Sequence, residues 1–109
     1  MTASIERFST TAVITAGSSA NTLTPRFPFD RWAGGGVLIG ATNSATQINW
    51  HASIGPESTP LQIRSDGSAV TTAVTDGAHP IPDACFGFPY IAPVIVGATT
   101  CAMTVTLKG

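Results

Sequence analysis

The sequence predicts an all-β domain: an antiparallel β-sandwich, jelly-roll-like, with about seven to nine short strands. Three observations carry this. Apolar and polar residues alternate along short stretches, most cleanly over residues 46–53, where Ile48, Trp50 and Ala52 share one face and Gln47, Asn49, His51 and Ser53 the other. Clusters of Gly, Pro, Asn, Asp and Ser punctuate those stretches at short intervals. No window shows the 3.6-residue period of an amphipathic helix.

Taken in order, residues 3–8 read as a first short strand or an arm, and residues 11–16 as a better strand closed by the turn cluster at 17–21. Residues 22–29 carry Pro25 and Pro28, so they read as an extended edge segment or a connection. Within that segment Phe27 and Phe29 alternate, and would face the same side if it is extended. Gly34, Gly35 and Gly36 lead into the apolar run Val37, Leu38, Ile39. A triple glycine invites a phosphate-loop reading, but the GxGxxG and GxxxxGK[ST] spacings are absent and no helix follows. A bulge or a close backbone approach fits better.

The middle of the chain, residues 64–88, is a meander. Asp66-Gly67 and Asp76-Gly77 favour the positive φ angles of tight hairpin turns, and the Val/Thr-rich stretch between them suits a pleated strand. A regular ladder is not expected to run through Pro80 and Pro82, so residues 79–88 read as a corner that drops Phe86 or Phe88 inward. Residues 90–96 form a strand that Pro93 demotes to an edge or a bulge. The closing strand turns Met103, Val105 and Leu107 inward and Thr104, Thr106 and Lys108 outward. The expected core contains Ile39, Ile48, Trp50, Val70, Val74, Phe86, Val105 and Leu107.

With 109 residues the chain has room for a single domain, residues 1–109. Only 10% of its residues are charged, against roughly 25% in an ordinary soluble domain. Its polar surface must be built from Thr, Ser, Asn and Gln, a surface weakly repelled by copies of itself and suited to an assembly. A net charge of -1 gives no electrostatic footprint for nucleic acid and no polybasic patch for a membrane. The apolar runs at 34–41 and 91–98 fall short of the ~20 residues that span a bilayer. The N-terminus lacks an apolar h-region, so synthesis in the cytosol without a signal peptide is expected.

Chemistry-bearing residues are sparse. His51 lies on the polar face of its strand with no strained GxSxG serine to serve, and His79 sits beside Pro80 in the corner. Asp66 and Asp76 are turn residues, and the acids form no DxDxDG calcium loop. Cys85 and Cys101 match no zinc spacing; two buried thiols are the simpler expectation, with a disulfide left open. No catalytic, cofactor or metal site is expected. Trp32, Trp50 and Tyr90 are the residues a sugar-binding module would use, and Trp32, beside the glycines, is the better candidate for exposure.

The succession FDRWAGGGVLI, TQINWHAS, DGSAVTTAV, DACFGFPYI and MTVTLKG resembles the small β-sandwich virion proteins encoded in tailed-phage and prophage genomes. The resemblance covers nearly the whole chain and rests on hydrophobic spacing and turns, with no chemical signature. It implies a non-catalytic structural role on the capsid surface, as a decoration or cement protein bound to a major capsid protein and made in the host cytoplasm. The rival is a carbohydrate- or receptor-binding module of a tail fibre or tail tip. A homo-oligomer is expected, a trimer ahead of a dimer. The expected capsid contacts are Ile5, Arg7 and Phe8 on an N-terminal arm able to add a strand to an open sheet edge, and Arg26, Phe27, Phe29, Arg31 and Trp32 as interface anchors. The alternative, Phe27 and Phe29 in the core and the arm a first strand of the sandwich, stays open.

Overall fold

The computed structural model describes residues 9–29, 32, 34–40, 45–74 and 77–108. Among them run β1 (Ser9–Gly17), β2 (Phe27–Pro28), β3 (Gly34–Ile39), β4 (Gln47–Ser53), β5 (Leu61–Gln62), β6 (Arg64–Ser65), β7 (Ser68–Ala69), β8 (Thr71–Ala73), β9 (Gly77–Pro80), β10 (Tyr90–Val96) and β11 (Thr100–Lys108). One 3-10 turn, Asp83–Gly87, interrupts them, and no α-helix occurs among the described residues.

One sheet has the order β1-β11-β3-β9; the other has β2-β10-β4, with β5 and β8 both pairing β4. All pairings are antiparallel. Consecutive strands alternate between the sheets from β1 to β4 and again from β9 to β11, which is the winding of a jelly roll. The fold class expected from the alternation is therefore the one found.

The core fills the space between the sheets. Met103, Val105 and Leu107 of β11 and Val37 and Ile39 of β3 face Ile48 and Trp50 of β4 and Ile91 and Ile95 of β10, all buried in one cluster. Pro93 is buried in the middle of β10, opposite Trp50. The Trp50 N–H donates to the Val70 carbonyl (3.1 Å) and its carbonyl accepts from the Ile63 N–H (2.9 Å), so Trp50 directs its main-chain groups away from β10. The Pro93–Trp50 pair is thus a non-hydrogen-bonded one. Pro93's missing N–H points to the side where β2 has already ended, since β2 pairs only Tyr90 and Ile91. β10 is thus an interior strand with an unbroken register to β4, and not the edge or bulge expected from Pro93; the proline is accommodated at a position where the ladder needs no donor.

Between β4 and the exposed β6–β7 hairpin lies a three-way junction. Trp50 donates to Val70, Val70 to Ile63 (2.9 Å) and Ile63 back to Trp50, a closed ring of main-chain hydrogen bonds. The Gln62 amide sits over that ring, its Nε2 within 2.9, 3.0 and 3.3 Å of the Trp50, Ile63 and Val70 carbonyls. The chain leaves the sheet there, turns at Asp66 (φ 52°) and Gly67 (φ 81°), and returns as β8. Two consecutive positive φ angles are the type I′ geometry that Asp-Gly favours.

The corner departs from expectation. A ladder does run to Pro80, the last residue of β9, which pairs Gly36. Beyond it Ile81 and Cys85 turn inward, whereas Phe86 and Phe88 stay 43% and 40% exposed, so Phe86 is not a core residue. Counting by alternation fails here because side chains in a 3-10 turn advance by a third of a revolution per residue rather than a half. Val70, expected in the core, is partly buried against it, and Val74 is buried. The Asp76 half of the second turn and the arm before Ser9 lie outside the described residues.

Candidate interaction surfaces

The expected contact residues divide three ways. Ile5, Arg7, Phe8 and Arg31 lie outside the described residues. Phe27 and Phe29 are core residues in this chain, with their rings edge to face at 6.0 Å and Phe86 stacked on Phe29 at 5.4 Å. They face the same side, as their alternation predicts, and that side is inward. Their burial makes them core residues first, with only Phe27 reaching the edge of a groove. Trp32 is partly buried against the same core.

Arg26 is a clamp and not a free anchor. Its Nη1 donates to Ser53 Oγ (2.9 Å) and to the Gly55 (3.2 Å) and Ser58 carbonyls. Its Nη2 donates to the Asn21 and Thr22 carbonyls and its Nε to that of Thr24. Five N–H donors in a rigid fork thus staple the loop before β2 to the loop after β4.

That staple fixes an apolar end to the sandwich. Ile54 and Leu61 are exposed and line a depression of about 460 Å³ together with Phe88 and Arg64. Leu23, also exposed, stands on the neighbouring loop that Arg26 holds. Sequence reasoning missed these three; for Leu23 and Ile54 the available signal was a large aliphatic residue inside a turn-forming segment, where burial has nothing to offer it, and Leu61 is exposed on the two-residue β5. A second groove, about 510 Å³, opens between β1 and the β2–β10 side, lined by Thr10, Ala12, Ile14, Phe27, Trp32 and Tyr90 among others.

Neither surface gathers reactive groups. Among the described residues no three His, Cys, Asp or Glu side chains come together. His51 Nδ1–H donates to the Asn49 carbonyl at 3.1 Å, which fixes its tautomer, since a carbonyl can only accept. Trp50, a candidate sugar platform, is fully buried and its indole N–H donates to Thr72 Oγ1 at 2.9 Å. Both cysteines are free and buried.

Burial pushes the Cys85 thiol from its ordinary 9.0 up to about 12, and desolvation raises Cys101 as well. Since the unfolded chain ionises first, this stabilisation is complete below the unfolded value and is lost as pH climbs toward the folded one. Urea midpoints should therefore fall between pH 9 and about 12, and Cys85→Ala should flatten part of that decline. An unchanged slope in the variant would assign the pH dependence to other groups.

The jelly-roll sandwich places the chain in a broad class of all-β domains that serve as building blocks and binding modules alike. Within it, the fold is similar to that of the prophage-derived protein YomS of SPBc2: the crystal structure aligns over 99% of this chain and 100% of that one, with a TM-score of 0.57 and 13% identity. No protein-family model matches the chain, and no curated protein does.

Proposed function

We propose that this chain is a phage virion structural protein, a non-catalytic capsid decoration protein that binds the major capsid protein. The observation that carries the reading is the clamped apolar end, Leu23, Ile54 and Leu61, held in place by Arg26. Exposed aliphatics on two loops that a guanidinium fork makes rigid, and on the adjoining strand β5, suit a protein surface, since ordering them costs little further entropy on binding. Of the aromatics a sugar site would use, Trp50 is sequestered, and Trp32 and Tyr90 are partly buried at the other groove. The fold shared with a prophage-derived protein and the low charge agree with a role in a phage assembly. The N-terminal Ile5, Arg7 and Phe8 are proposed as a second contact, along a sheet edge of the shell protein.

Co-sedimentation with purified mature capsids tests this. The intact protein is expected to bind, and Ile54→Asp, a change at an exposed position, to weaken binding roughly tenfold or more while the fold persists. Failure of the intact protein to bind shells, together with retention on a glycan array, would replace the capsid reading with the tail-fibre one.

A further inference from the structure

We propose that β1 is a self-pairing edge, and that two copies of this chain join antiparallel along it about a two-fold axis at Val13. The other sheet margins are blunted in the ways that keep strands from pairing with strangers. β2 and β5 are two residues long, and β2 contains Pro28; β8 has three residues; β9 has four and ends on Pro80. β1 is the exception: nine residues, Ser9–Gly17, with no charge and no proline. Its register against β11 runs one for one from Ser9–Lys108 to Gly17–Thr100, so no bulge twists it away. β10 passes close to β1 at this side of the sandwich but forms no ladder with it. Among the described residues, then, the outward main-chain groups of this long terminal strand have no ladder partner.

The residues say which partner fits. Read outward from Val13, the strand is nearly its own mirror: Ala12 against Ile14, Thr11 against Thr15, Thr10 against Ala16. An antiparallel pair centred on Val13 puts Val13 opposite Val13 of the second copy and Thr11 opposite its Thr15, all on the outer face. These are the β-branched and hydroxyl pairs that stabilise cross-strand contacts. On the inner face Ala12 meets Ile14 of the second copy, and both residues line the groove beside Trp32, which the added strand would help to cover. Lys108, next to Ser9 in the ladder, falls near Gly17 of the second copy and far from the other Lys108, so no like charges meet. The contact is isologous and closes at two, which favours a dimer over a trimer.

Sedimentation velocity of the full chain is expected to show a dimer. Val13 is 72% exposed, so Val13→Lys should leave the circular dichroism spectrum unchanged while weakening dimerisation roughly tenfold or more, two ammonium groups being forced together at the axis. Val13→Cys should oxidise to a covalent dimer, because facing residues of an antiparallel pair lie within the Cα separation a disulfide spans. Leu38→Cys, exposed on the interior strand β3, should not. A monomeric or trimeric wild type overturns the proposal, as does a dimer that survives Val13→Lys or fails to cross-link through Cys at 13. Shell binding is a separate measurement, so the capsid reading and this one can fail independently.

Discussion

Trp50→Ala is expected to lower the free energy of unfolding by about 3–5 kcal/mol, measured by urea denaturation. The indole is fully buried between the sheets, so truncation leaves a cavity that its strand-bound neighbours cannot collapse to fill. It also removes the hydrogen bond to Thr72 Oγ1. The main chain of Trp50 belongs to the three-way junction, and that ring survives the substitution in principle, which makes the loss a measure of the side chain. Trp50→Phe separates the two terms. It keeps most of the apolar volume and gives up the indole donor, and should cost about 1–2 kcal/mol. A loss below 1 kcal/mol for the alanine variant would mean that the ring faces solvent. Against a total of about 5–15 kcal/mol for a domain, the expected loss is a large share.

Gly35→Ala should cost about 3 kcal/mol, near the upper end of the usual overpacking range. A Cβ at this position would overlap the Thr106 carbonyl oxygen on β11, and would lie 2.9 Å from Leu107 Cδ2 and 3.2 Å from Ile81 Cδ1. The first of these is main chain inside a ladder, so it cannot rotate away, and the strands must part. Gly34→Ala is the internal control, its Cβ meeting nothing closer than Phe86 Cζ at 3.8 Å. That variant should be neutral or gain about 0.4–1 kcal/mol by restricting the unfolded chain. Equal losses in the two variants would show that glycine flexibility, not strand contact, is what this stretch requires.

The long strands were legible because they carry their own pattern: β4 and β11 alternate in sequence, and one buried face demands nothing more than a period of two. The close approach at the glycines was legible too, though not which of the three is indispensable, since that depends on the Thr106 carbonyl of a strand seventy residues on. The corner was not, because the 3-10 turn breaks the count on which Phe86 was placed inside. The contact surface was read least well. Arg26 among aromatics looks like an interface anchor in one dimension; only the convergence of two distant loops shows its donors consumed within the chain. Phe27 and Phe29 carry the same ambiguity, since the residue types that anchor interfaces also anchor cores.

The junction beneath the β6–β7 hairpin has an evolutionary consequence. With the Gln62 amide and the closed ring securing its base, the hairpin's tip is decoupled from the core: every residue from Arg64 to Ala69 is exposed. Lengthening a loop at such a place adds only about 0.6 kcal/mol of closure entropy for each doubling. The jelly roll can therefore be held constant by selection while the hairpin grows, shrinks or changes its surface residues from one descendant to the next, giving a single scaffold a variable appendage.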